Sequence, residues 1–394
     1  MADAPNPSEA VARHHGAPPD AVAASRLQRV LIIMPQLLGD AVLSSVLISA
    51  LHDMIPDSRI DILVHRPLAE LFVHNPAIAA VHTIDRDWRQ KGLWRTVGPR
   101  RALIRTLRAR RYDLLIQSPH TTDGSWGPAL KALLRIPYAV GASAVTHGSP
   151  LKRFMWRRLF THTLPAPPDP NRRHVAEWHL DLLRRLGLAP SPAARRATIE
   201  PGPAARESIA ALLASRRIPH RGFVLFAPLA GQRGRTLPAA LCRDFLDHCE
   251  EQGLTVVITS GHEAWQQAFA HALIEGRGDR MVDLAGTLTL TELAALASAA
   301  RVFVGADSGP MHIAAAMGLP VIACFGPGDH YRFSPWQTRQ SLIIAHRSCQ
   351  PCELDGCGNS GHADCLHDIQ SRTLLDAFQA FEASSEPLAP ARTC

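Results

Sequence analysis

The chain has 394 residues, more than a single hydrophobic core usually serves, so two domains are expected. Hydrophobic residues make up 46% and charged residues 20%, which excludes a disordered chain, and no apolar run approaches the roughly 18 residues of a spanning helix. The net charge of +7 suits an anionic partner such as a nucleotide, a phosphorylated glycolipid or an anionic membrane surface; without a zinc-finger, helix-turn-helix or RNA-recognition signature, no nucleic-acid partner is expected.

Residues 1–25 read as a flexible polar tail, with no continuous apolar core of the kind a secretory signal carries, so a cytoplasmic location is expected. Arg29 to Met34 is an apolar strand, Pro35 to Asp40 a turn around Gly39, Ala41 to Met54 a helix, and Arg59 to Val64 the next strand: a βαβ unit. A short helix over 67–74, a strand over 80–84, a basic helix over 100–111 and a strand over 112–117 follow. Segments 151–160 and 173–186 have helical, basic character, and the first domain, 26–186, closes there. Residues 187–203, rich in Pro and Ala, read as a linker.

A second alternating series starts at Phe223 and fills the second domain, 204–348. Helices over 239–252, 262–275, 290–299 and 310–317 separate strands over 255–259, 281–284, 302–304 and 321–323. The expected fold is α/β: two parallel, Rossmann-like sheets joined by a linker and facing each other across a cleft. In open sheets of this kind ligands bind beyond the carboxyl ends of the strands, so functional residues are sought just after strands. A cysteine segment, 349–367, and a last helix and tail, 368–394, complete the chain; the last helix is a candidate to cross back onto the first domain.

Gly39-Asp40 follows the first strand. Asp40 reads either as the N-cap of the next helix or as a general base that takes the proton of an acceptor hydroxyl. The turn has neither the glycine spacing of a dinucleotide site nor the Gly-Lys-Ser/Thr of a P-loop. The segment Gly305-Ala306-Asp307-Ser308-Gly309-Pro310-Met311-His312 is the most informative. Pro310 suits the first helical turn, whose open N–H groups suit a diphosphate; Asp307 suits sugar hydroxyls, Ser308 is a cap or a phosphate donor, and His312 lies one turn in. Gly326 and Pro327 form a further close-approach loop after the next strand.

Arg233 and Arg235, in a Gly-containing loop, read either as solvent-facing or as bidentate partners of a diphosphate. Arg101, Arg105 and Arg108 share one face of the basic helix, which is either simply solvated or a dock for acceptor phosphates or the anionic inner membrane. Arg153, Arg157 and Arg158, with Trp88, Trp94, Phe154 and Trp156, extend the same choice. Cys349, Cys352, Cys357 and Cys365 have the spacing of a four-thiolate structural zinc site, with His362 and His367 as spare ligands; the alternative is a set of unliganded thiols.

With these motifs together, the chain from about Val30 to about Ile369 resembles family 9 of the glycosyltransferases, the ADP-heptose:lipopolysaccharide heptosyltransferases. The resemblance is carried by Leu38-Gly39-Asp40, by Gly305 to Ala316 continuing through Gly318-Leu319-Pro320 to Phe325-Gly326-Pro327, and by the cysteine set with Asp368-Ile369. It implies the GT-B fold and an inverting transfer that needs no cofactor, from ADP-heptose to a lipopolysaccharide core acceptor. It also implies Asp40 as general base, Asp307 on the donor sugar, Ser308 and Gly309 as diphosphate-binding backbone, and, on a looser alignment, Asp283 for the nucleotide ribose. Three features depart from the pattern. Arg235-Thr236-Leu237-Pro238 stands where a Lys followed by Trp-Pro is common, Met34-Pro35-Gln36-Leu37 lacks the usual basic residue and serines, and the Arg-rich helix names no acceptor. A transferase with another nucleotide sugar and a non-catalytic sugar-nucleotide-binding module are the competing readings.

Overall fold

The computed structural model of the chain describes residues 22–85, 92–119, 126–142, 154, 156, 158–165 and 173–383. Among the described residues twelve strands form two six-stranded parallel sheets. The first comprises β1 (Arg29–Ile33), β2 (Arg59–His65), β3 (Ile78–Ile84), β4 (Leu114–Gln117), β5 (Tyr138–Ala142) and β6 (His162–Leu164). The second comprises β7 (Phe223–Ala227), β8 (Thr255–Ile258), β9 (Met281–Asp283), β10 (Val302–Ala306), β11 (Val321–Phe325) and β12 (Gln340–Ile344). The orders are β3-β2-β1-β4-β5-β6 and β12-β11-β10-β7-β8-β9, the same doubly wound order twice. The strand order reverses between β1 and β4 and between β7 and β10, and crevices open there at the carboxyl ends.

The helices are α1 (Leu38–Ser44), α2 (Val46–Met54), α3 (Gly92–Arg110), α4 (Trp126–Leu134), α5 (Val175–Arg185), α6 (Gly202–Ser215) and α7 (Ala239–Glu251). They continue with α8 (Ala264–Ile274), α9 (Leu290–Ala299), α10 (Gly309–Ala316), α11 (His330–Phe333), α12 (Asp364–His367) and α13 (Ser371–Ala383). Among the described residues none is long and apolar enough to cross a membrane.

Alternate residues of each strand supply opposite faces. In β1, Val30 and Ile32 enter one core while Leu31 and Ile33 enter another with Leu107 of α3 and Leu130 of α4. In β7, Val224 and Phe226 pack with Phe245 and Phe378, whereas Phe223 and Leu225 join the same continuous core as Val30 and Ile32. One face of each sheet thus shares a single continuous core, bridged where α1 meets α10 and where α9 meets residues 66–71.

Five details differ from the sequence expectations. Val22 is buried and its N–H donates to Leu186 O at 3.1 Å, so residues 22–25 belong to the first domain rather than to a free tail. The helix expected over 41–54 begins at Leu38 and breaks at Ser45, whose hydroxyl donates back to Val42 O at 2.6 Å. The segment read as a linker is strapped down: Ser49 Oγ donates to Arg196 O at 2.8 Å, and Thr198 N–H donates to Ser45 Oγ at 2.8 Å. The last helix, α13, does not cross back; it packs on α7 and β12, with Phe378 edge-on to Phe245 at 5.3 Å. Strands β5, β6 and β12 and helix α4 were not foreseen. Trp88, Arg153 and Arg157, and most of the helix expected over 151–160, lie outside the described residues.

Candidate active site

The loops after β1, β7 and β10 leave the two sheets at their reversal points, and the first turns of α1 and α10 meet there. The fit is tight. A methyl group on Gly39 would lie 2.6 Å from His312 Cδ2, and one on Gly309 would lie 2.4 Å from Leu38 Cδ2. Both positions therefore require glycine so that two helix N-termini can approach across the domain boundary.

Asp40 lies in the first turn of α1, three residues after the N-cap position held by Leu37, so the N-cap reading is overturned: no side chain caps this helix. The carboxylate is 7% exposed and its Oδ1 has no hydrogen-bond partner among the described residues. Burial pushes its pKa up to about 7 against the opposing pull of Arg332 and Arg235, with Glu353 and Asp307 adding to the rise. A carboxyl group in that range is poised for proton transfer near neutral pH.

Across the junction, Arg235 Nη1 donates to Asp307 Oδ2 at 3.0 Å. Burial lifts Asp307 to about 6, while Arg235 draws it down. The pair requires Gly328, where a methyl group would fall 1.9 Å from Asp307 Oδ2. Ser308 holds the N-cap position of α10, but its Oγ donates to Ala306 O at 3.2 Å and caps nothing. Met311 N–H returns to Ser308 O at 3.1 Å and Pro310 has no N–H, so among the described residues the open donors of this turn are the backbone N–H groups of Ser308 and Gly309. His312 is buried, its Nδ1 has no partner among the described residues, and burial with His174 and Arg235 drives its pKa down to about 3, so the ring is neutral. Unpaired buried polar atoms are rare in folded proteins, and here Asp40 Oδ1, His312 Nδ1 and Arg235 Nε gather at one junction, the pattern of a site built to receive a polar ligand.

The other expected residues are placed differently. Arg233 stacks on Trp265, its guanidinium 4.5 Å from the ring centre, and does not join Arg235 on Asp307. Asp283 ends the edge strand β9, two strands from the reversal point, where Oδ1 accepts the Ala285 N–H at 2.8 Å and Oδ2 lies 3.7 Å from His271 Nδ1. Gly326 O accepts from Gln350 Nε2 at 2.7 Å and Pro327 O accepts the Glu353 N–H at 2.8 Å, so this loop is bonded to the cysteine segment. Arg101, Arg105 and Arg108 are exposed on α3, which runs from the β3 side down to the start of β4; Arg108 donates to Leu133 O at 2.7 Å.

No metal-ligand grouping among the described residues supports the zinc site expected of the cysteine segment. The other three thiols are close enough to bear on Cys365, which burial raises to about 11, yet no three His, Cys, Asp or Glu among the described residues converge as metal ligands. Hydrogen bonds hold the segment instead. Asp355 Oδ1 accepts the Gly234 N–H at 2.7 Å, Cys357 N–H donates to His362 O at 2.7 Å, and Gly361 N–H donates to Asp355 O at 2.8 Å. A methyl group on Gly234 would lie 2.1 Å from Gly356 N, so the segment clasps the Arg233–Arg235 loop.

A family model for glycosyltransferase family 9 (heptosyltransferase) matches residues 100–362. The chain belongs to this family. Lipopolysaccharide heptosyltransferase 3 of Escherichia coli is 31% identical over 304 residues, 76% of this chain and 83% of the relative. Among solved structures, the E. coli ADP-heptose lipopolysaccharide heptosyltransferase II has a TM-score of 0.69 at 19% identity, covering 89% of this chain and 98% of its own. An E. coli heptosyltransferase solved with ADP has a TM-score of 0.67 at 18% identity, covering 89% and 99%. The two facing Rossmann-like sheets are thus a GT-B fold, and the protein is a family 9 glycosyltransferase.

Within this glycosyltransferase the sequence reading missed Arg332, Glu353 and His174, whereas Gly328 lies in the close-approach loop that it marked. Arg332 Nη1 meets Glu353 Oε1 at 2.9 Å, and both bear on Asp40. Asp329 caps α11, accepting from Tyr331 and Arg332 N–H, and an Asp three residues before an Arg was a usable signal for that placement. Glu353 arrives from a loop without periodicity, and no local pattern marks it. His174 caps α5 through Nδ1 and donates from Nε2 to Ser334 O at 2.9 Å, joining the domains beside His312.

Proposed function

We propose that the protein transfers heptose from ADP-heptose to a hydroxyl of a phosphorylated lipopolysaccharide core acceptor, with inversion at the anomeric carbon. The observation that carries this reading is Asp40: a buried carboxylate with an unpaired oxygen and a pKa near 7, set across the junction from the Arg235–Asp307 pair. Family membership and the E. coli lipopolysaccharide relatives support the donor and acceptor.

In this reaction Asp40 takes the proton of the acceptor hydroxyl as its oxygen bonds to the anomeric carbon. The bond from that carbon to the diphosphate oxygen breaks, and ADP leaves with its electron pair. A single displacement from the face opposite the leaving group inverts the centre. Arg235 and the open N–H of Gly309 at the N-terminus of α10 stabilise charge growing on the diphosphate, and Asp307 holds Arg235 and the sugar hydroxyls beside it. This fixed positive charge serves the role a divalent ion plays elsewhere, so transfer is expected to continue in a chelator.

The test is ADP release from ADP-heptose with core acceptors, native chain against Asp40→Ala. The expected result is acceptor-dependent release that falls by about 10²–10⁴-fold in the variant. Unchanged turnover in Asp40→Ala removes Asp40 as the base, and turnover only with a different nucleotide sugar overturns the donor.

A further inference from the structure

A second charged recess lies at the opposite end of the first sheet. Arg29 opens β1 and Arg59 opens β2, and the parallel register sets them side by side. Strand alternation puts Arg59 and Asp61 on one face, beneath the end of α3. Arg110 closes α3, and Arg111 and Tyr112 follow it before β4. With Ala109 these six residues line a cavity of about 480 Å³.

The charges in it are unbalanced. Asp61 is the one carboxylate of the lining, and it is already satisfied. Tyr112 Oη donates to Asp61 Oδ2 at 2.7 Å, His82 Nε2 lies 3.2 Å away, and Arg110 Nε lies 3.6 Å away. Asp113, just outside, accepts the backbone N–H groups of Gln28 and Arg29. Arg29, Arg59 and Arg111 have no carboxylate partner among the described residues. Arg111 is held at φ 53°, a left-handed conformation that side chains rarely adopt. Three guanidinium groups without counter-ions around one recess repel each other and are stabilised by an anion with several acceptor oxygens.

We propose that this recess binds a phosphate-bearing group, a second anion site at the amino-terminal rim of the first sheet and remote from the transfer chemistry. The rim residues lie at the amino-terminal ends of β1 and β2 and just before β4, whereas Asp40 follows β1, so the sheet itself separates the two sites. A phosphate here tethers the enzyme to its source without occupying the cleft. That source is a lipid headgroup or a soluble phosphate compound.

The test uses the full chain and the double variant Arg29→Ala/Arg59→Ala. Both side chains are exposed, so the fold and the transfer rate are expected to stand unchanged. Pyrophosphate is titrated by calorimetry. The native chain is expected to show one more binding site than the double variant, because each lost charge-assisted contact weakens it about tenfold or more. Arg29→Lys/Arg59→Lys, which keeps the charge but loses the planar fork, is expected to bind with intermediate affinity. Cosedimentation with phosphatidylcholine vesicles, with and without phosphatidylglycerol, identifies the source. Loss of phosphatidylglycerol-dependent binding in the alanine variant assigns the site to a lipid headgroup; vesicle binding unchanged beside a lost pyrophosphate site assigns it to a soluble phosphate. Identical pyrophosphate isotherms in the native and alanine chains overturn the proposal, whatever the vesicles show.

Discussion

Asp40 carries the sharpest consequences at the scale of a residue. In the folded chain its pKa stands near 7, whereas an unfolded aspartate titrates near 3.8. Between those values the native state holds a proton that the unfolded state has lost, so stability falls as pH rises through this window and the full cost is present above it. Asp40→Asn removes the cost. The variant is expected to be more stable than the native chain at about pH 8, by up to about 4 kcal/mol, with the difference closing at about pH 4. Urea unfolding at the two pH values checks this, and an equal gain at both would show that ionisation is not its cause. Catalysis has the opposite dependence, because the base acts only when ionised: kcat should climb with pH and level off above about 7 in a profile that Asp40→Asn abolishes. Arg235 offers a second test. Replacement by Ala leaves Asp307 buried without its cation and removes charge from the departing diphosphate, so kcat should fall by about 10²–10³-fold; Arg235→Lys should recover part of the loss in the same ADP-release assay.

Among the elements, the two short helix entrances matter most. The sequence placed Gly39-Asp40 and Asp307-Ser308-Gly309 after strands, and these segments do meet. Which side chain caps which helix was not legible, because Leu37 and Ser308 occupy the N-cap positions without capping through their side chains. Strands β5 and β6 were hidden for a different reason. Tyr138–Ala142 is rich in small residues and His162–Leu164 is only three residues long, so neither shows the alternation that marks a half-buried strand. The cysteine spacing suggested a metal, whereas backbone hydrogen bonds and the contact of Gly234 with Gly356 hold that loop, a long-range fit that no local pattern contains. Close approach gives a prediction of its own. Gly39→Ala drives a methyl group into His312, which must push α1 and α10 apart at a cost of about 1–3 kcal/mol. The expected outcome is a chain that still folds, with a lower Tm and reduced kcat; native stability and turnover would show that the helices can separate without penalty.

For the whole molecule, the repeated strand order was legible as two alternating series, but the degree to which the halves are joined was not. A Pro- and Ala-rich segment suggested a loose linker, and loose linkers let domains unfold separately. In the structure that segment is fastened from both sides. Ser45 and Ser49 of the first domain bond to residues 196 and 198, and Trp336 Nε1 of the second donates to Arg195 O at 2.7 Å while its ring stacks on His174 at 4.5 Å. Beneath these straps one apolar core runs from Val30 and Ile32 to Phe223 and Phe303. Exposing that core to release one domain would cost the other part of its own packing, so the two should unfold together. Scanning calorimetry is expected to give a single transition whose calorimetric and van't Hoff enthalpies agree, although multi-domain chains often depart from two-state behaviour. Trp336→Ala removes both the hydrogen bond and the stacked ring without touching the interior of either sheet. It should lower the transition and broaden or split it, whereas two resolved transitions in the native chain would mean that the shared core does not couple the domains.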